Sequence, residues 1–142
     1  MPSAAFVKKT GAIARMMTAG TAWASSNRYA VIVKNSYTPN VAHTTYGDIS
    51  ANECDTAGYQ RVQLTGQSFV SNDNPDCNDI DFTLSSTVVP VGRYVFIVEG
   101  VAPTPNAGDI ITGYWDAANG ASTDLNFDAV TAVNSTGIIN VI

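Results

Sequence analysis

The sequence predicts an all-β fold, an antiparallel β-sandwich or jelly-roll-like barrel with an N-terminal arm, and three observations carry that reading. Val, Ile and Thr number 15, 10 and 15 among 142 residues against three Leu, a balance that suits pleated strands better than helices. Several short runs alternate apolar and polar residues, the period of a half-buried strand. Turn formers punctuate those runs about every ten residues, a spacing that fits antiparallel strands and not βαβ units. A chain of this length is one domain by size and buries a core without help from a disulfide or a metal.

Residues 1–22 read as a basic arm and residues 23–142 as a single β-sandwich domain. Lys8, Lys9, Arg15, Arg28 and Lys34 fall in the first 34 residues with no acid among them, whereas Arg61 and Arg93 are the only cations after that, against all twelve acids. Five cations spread so thinly do not make a nucleic-acid stripe. An acidic protein partner or a second copy of the body fits them better. Ala22-Trp23-Ala24 has the form of a secretory cleavage site, but Arg15 interrupts the apolar stretch before it. A short helix with Phe6, Ile13 and Met17 on one side is the expected local structure there, and no run reaches the ~18 apolar residues of a membrane span.

In the body, Tyr29 to Lys34 is apolar on both faces and reads as a central strand. Pro39 and Asn40 end it in a turn, and a polar loop runs from His43 to Gly58. Arg61 to Thr65 alternates with Val62 and Leu64 inward, and Ser68 to Val70 continues after a turn at Gly66. Ser71 to Asn78 is dense in turn formers and reads as a surface loop. Asp79 to Leu84 then resumes alternation with Ile80, Phe82 and Leu84 inward. Pro90 and Gly92 mark a turn, and Arg93 to Glu99 is a second doubly apolar run, expected to pair near Tyr29 to Lys34. Ile110 to Trp115, the tight-turn pair Asn119-Gly120, and runs at Leu125 to Asp128, Val130 to Val133 and Gly137 to Ile142 complete the chain.

Catalytic chemistry finds little footing in these residues. His43 is the single histidine, and neither a G-x-S-x-G elbow nor a Cys-His signature accompanies it. Asp48, Glu53 and Asp55 could form a carboxylate pair, though a solvated acidic loop explains them as well. Asp73, Asp76, Asp79 and Asp81 with Asn74 and Asn78 supply oxygens suited to calcium, but lack the central Gly and closing Glu of a helix-loop-helix site, so a self-capping turn is preferred. No cofactor is called for. Cys54 and Cys77 read as free thiols, with a bridge as the alternative. The aromatic residues, scattered near strand ends, read as core or interface packing and not as a carbohydrate-binding face.

The order of several motifs carries a resemblance. Trp23, the strand Tyr29 to Lys34, the turn Tyr37-Thr38-Pro39-Asn40, then His43, Tyr46, Asp48, Glu53, Gly58-Tyr59 and Leu64 are followed by the strands at Asp79 and Arg93, Gly113 to Asp116, and Gly137-Ile138. In that order they resemble small virion structural proteins of tailed bacteriophages. The resemblance implies a non-enzymatic, head-associated protein of the virion, a capsid decoration or cement protein. Its expected partners are the major capsid protein and other copies of itself, with neither nucleic acid nor membrane. The expected contact residues are Lys8, Lys9 and Arg15 of the arm and Tyr37, Thr38, Pro39 and Asn40 of the turn. The alternative function is a glycan-binding host-recognition module of a phage fibre, and a small hydrolase ranks third.

Overall fold

A computed structural model describes residues 7–8, 17, 22–71, 74–82, 88–127, 131–133 and 139–141. Regular secondary structure among the described residues is mostly strands in antiparallel sheets, with one short helix, as an all-β chain requires. The main sheet has five strands in the order β1-β8-β7-β2-β3, formed by Val7–Lys8, Ile111–Asp116, Tyr94–Glu99, Arg28–Val33 and Val62–Gln63. The two doubly apolar runs lie side by side at its centre, with Tyr29 opposite Val98 and Val33 opposite Tyr94. Every residue of β2 is buried, because both faces of the sheet are covered.

Strand alternation sorts the core into two layers. Ala30, Ile32, Val95, Ile97 and Trp115 face one side, where Trp23, Cys54, Leu64, Cys77, Ile80, Phe82 and Phe127 close over them. Tyr29, Val31, Val33, Tyr94, Phe96 and Val98 face the other, covered by Tyr37, Tyr46, Ile49 and Ala102. The first layer is roofed in part by β4 (Ser68–Ser71), paired with β5 (Asn74–Asp76), and by β9 (Leu125–Asn126), paired with β6 (Val91–Gly92). Phe69 of β4 and Leu125 of β9 pack against it. A further pair joins β10 (Thr131–Val133) to β11 (Ile139–Val141).

Several local expectations change. Within the polar loop from His43 to Gly58, α1 (Tyr46–Ile49) leads into a 3-10 turn at Ser50–Asn52. Its start is set by Asp48, whose carboxylate accepts from the Thr45 amide and hydroxyl at 2.9 and 3.0 Å and from the Thr44 amide at 2.9 Å. The Thr45 amide contributes most to holding that carboxyl below its usual range. Inside the expected surface loop Ser71 to Asn78, Asn74, Pro75 and Asp76 form β5, which pairs with β4. Ile80 and Phe82 do point into the core, at 1% and 6% exposure, but only Ile80 makes a strand bridge, and Leu84 lies outside the described residues. The Asn119-Gly120 turn forms with both residues left-handed, at φ 50° and 91°. The strands on either side of it do not pair with each other, since β8 pairs with β7 and β9 with β6.

Gly92 lies in strand β6 and not in a turn. A Cβ there would run into Ile32 Cγ2 and lie 3.1 Å from the Val33 carbonyl oxygen, so β6 crosses β2 at a distance that only glycine permits. Ile32 is fully buried and cannot retreat. Gly92→Ala is expected to destabilise the protein by about 1–3 kcal/mol through overpacking. Urea denaturation checks this, with an unchanged midpoint counting against the close crossing.

Candidate interface at the edge of the sheet

The turn after β2 is anchored from inside. Tyr37 is 4% exposed, its ring set edge-on to Phe96 and Tyr94 at centroid distances of 5.6 and 6.1 Å. Its hydroxyl shares a 3.0 Å hydrogen bond with His43 Nδ1. Tyr37, which the sequence reading placed among the contact residues, is therefore buried as the root of the turn. Beyond it, Asn40 Oδ1 accepts from the Ala42 amide and its carbonyl accepts from the His43 amide, closing a tight loop. That loop presents Thr38, Asn40 and Val41, with Val41 92% exposed.

Beside this tip, Val7 and Lys8 pair with Tyr114 and Gly113, which places β1 on the outer edge of β8. Part of the arm thus lies on the chain's own sheet, where the sequence reading assigned the arm to contacts with a partner. Val7 and Pro39 line one cleft of about 440 Å³ together with Arg93, Tyr94, Tyr114 and Asp116. The aromatic floor is continuous, with Tyr114 stacked on Phe96 at 5.0 Å and edge-on to Tyr94 at 6.0 Å. Lys9 and Arg15 lie outside the described residues.

One wall of the cleft is a saturated ion pair. Arg93 Nε and Nη2 donate to the two carboxylate oxygens of Asp116 at 2.9 and 2.8 Å, and Nη1 donates to Asn35 Oδ1. Asp116 also accepts from the amides of Ala118 and Gly120, which shapes the turn that follows β8. Burial pushes the Asp116 carboxyl up, but the Arg93 guanidinium and those amides outweigh it and hold the group below its ordinary value. A carboxyl depressed in the folded state contributes stability above its unfolded value and loses it as pH falls through the folded one. Asp116→Asn is therefore expected to unfold more easily than the parent at neutral pH, the gap closing below about pH 4. Thermal melts across that range decide it, and a gap independent of pH would refute it.

The acids once grouped as a possible carboxylate pair are engaged separately. Asp48 caps α1, Asp55 accepts from Lys34 Nζ at 2.8 Å, and Glu53 accepts from the Tyr46 hydroxyl at 2.6 Å and Arg61 Nη2 at 2.9 Å. Arg61 also lies 5.4 Å over the Tyr46 ring and donates to its hydroxyl. This Tyr46-Glu53-Arg61 cluster was not singled out from sequence; no spacing rule brings residues from a helix, a turn and a strand approach together. Cys54 and Cys77 are free and buried, and burial pushes the Cys77 thiol up to about 12. In the Asp73 to Asp81 stretch, read as a self-capping turn in preference to a calcium site, Asp76 Oδ1 accepts from the Cys77 amide and its carbonyl from Trp23 Nε1, and Asp73 lies outside the described residues. No group of three or more His, Cys, Asp or Glu side chains converges among the described residues. No helix among them is long and apolar enough to cross a membrane.

Comparison of the chain with protein-family models, with curated proteins and with solved structures finds no match.

Proposed function

We propose that this chain is a non-enzymatic structural protein of a tailed-phage virion, a decoration or cement protein that binds the major capsid protein and neighbouring copies of itself. The observation that carries the reading is convergence. The arm, singled out by its charge, and the Tyr37 to Asn40 turn, part of the motif order, are far apart in sequence and line one cleft at one sheet edge through Val7 and Pro39. The short strand pairs roofing one core layer are read as the second sheet of a β-sandwich. A non-enzymatic role is supported by the structural engagement of His43, Asp48, Glu53, Asp55 and Asp116, which are taken up by a tyrosine, a helix cap and ion pairs.

A protein that binds the assembled shell and not its separated subunits stabilises the shell by its binding free energy. Particles lacking it are expected to assemble, yet to release DNA at lower temperature, with purified protein restoring resistance. Val41→Asp is expected to fold normally, since the side chain is 92% exposed, and to lose about tenfold or more in restoring power if the tip is a contact. Depleted particles as robust as intact ones, but unable to adsorb to host cells, would overturn this reading in favour of a glycan-binding fibre module.

A further inference from the structure

We propose that β1 exchanges between copies of this chain, the arm of one molecule completing the five-stranded sheet of another. The receiving site is defined in the structure: the free edge of β8 accepts Val7 opposite Tyr114 and Lys8 opposite Gly113. The same arm sequence fits the same edge whether it arrives from its own chain or from a neighbour. The contacts being identical, connectivity and concentration decide between the two forms.

Connectivity allows both. Along the sheet β1 is separated from β2 by β8 and β7, a distance of roughly 15 Å at ordinary strand spacing. Of the residues that join the two strands, 22–27 are held by Trp23 in the core, and the 13 residues 9–21 before them extend at most to about 43 Å, well beyond that strand separation. Release of the described part is cheap, because among the described residues β1 pairs over two and Val7 stays 45% exposed. Charge works equally well between chains, since Lys8, Lys9 and Arg15 belong to a segment without acids and all twelve acids belong to the body. A tether of this kind gives the chain's own arm an effective concentration near millimolar, so exchange takes over when neighbouring copies are packed to a comparable density. Copies fixed side by side on a particle would meet that condition.

The inference deepens the proposed self-association, and its test uses free chains so that the two can fail separately. Full-length Val7→Cys and Tyr114→Cys proteins are mixed in equal amounts and oxidised at concentrations from micromolar to millimolar. Cys54 and Cys77 stay out of the reaction, being 7% and 6% exposed. A disulfide joining a Val7→Cys chain to a Tyr114→Cys chain is expected, its yield rising steeply with concentration. Tyr114 stacks on Phe96, so if circular dichroism shows that its variant is unfolded, Lys8→Cys and Gly113→Cys in the same register replace the pair. Absence of the mixed disulfide at millimolar concentration overturns exchange, whether or not a doubly substituted chain closes on itself. Failure of the shell experiment would leave this result standing, and failure here would leave shell binding standing.

Discussion

Arg28→Ala is expected to cost about 3–5 kcal/mol, the scale for breaking a buried ionic network from one side. Arg28 is fully buried at the start of β2, opposite Glu99, with Nη2 3.6 Å from Glu99 Oε1. Nε donates to Thr112 Oγ1 at 3.2 Å and Nη1 to Ser26 Oγ at 2.5 Å, while the guanidinium carbon lies 5.1 Å over the Trp23 ring. One side chain thus ties the segment before β2 to β7 and to the bulge in β8 between Gly113 and Ile111. Alanine removes the charge, the donors and the packing on Trp23 together. Arg28→Met keeps most of the packing and is expected to lose less. At roughly 2–4 °C per kcal/mol for a chain of this size, the melting point of the alanine variant should fall by about 10 °C. Added salt should narrow the difference little, because a pair whose side chains are 0% and 14% exposed is weakly screened. A loss under about 1 kcal/mol would show that the network offsets little more than its own desolvation.

Phe96→Ala is the second large effect, again about 3–5 kcal/mol for a fully buried phenylalanine. The ring is stacked on Tyr114 and set edge-on to Tyr37 at an interplanar angle of 85°. Aromatic geometry of this kind adds about 0.5–1.5 kcal/mol per pair beyond area. Tyr37 roots the exposed tip and Tyr114 forms part of the cleft floor, so the same substitution should loosen the candidate interface. Phe96→Leu, which keeps most of the volume, is expected to remain folded while changing the environment of His43, read as a shifted imidazole resonance. Val95→Ala, on the opposite face of the same strand, should lower stability without moving that resonance. Equal shifts from both would break the proposed link between core and tip.

What the chain alone determined is the set of strands whose signal is local. Arg28–Val33 and Tyr94–Glu99 are apolar on both faces, and a strand of that kind has a stable place only where both faces are covered, so their central positions and mutual pairing followed from residue type. Val62, Leu64, Ile80 and Phe82 turn inward because alternation has a period of two in any strand-like segment. α1 went unread inside the His43 to Gly58 loop, although Thr45 and Asp48 stand at the spacing of a capping box. Tertiary structure decided what depends on close approach between distant segments. Gly92 looked like turn punctuation and is a crossing point, Tyr37 looked like a contact and is an anchor, and Arg28, counted only among the cations of the first 34 residues, is sealed in the core. The convergence of Val7 and Pro39 also waited on the fold, because pairing β1 with β8 joins residues about a hundred positions apart. Local propensity reports what a segment prefers, whereas burial and partnership are set by whichever distant segment packs against it.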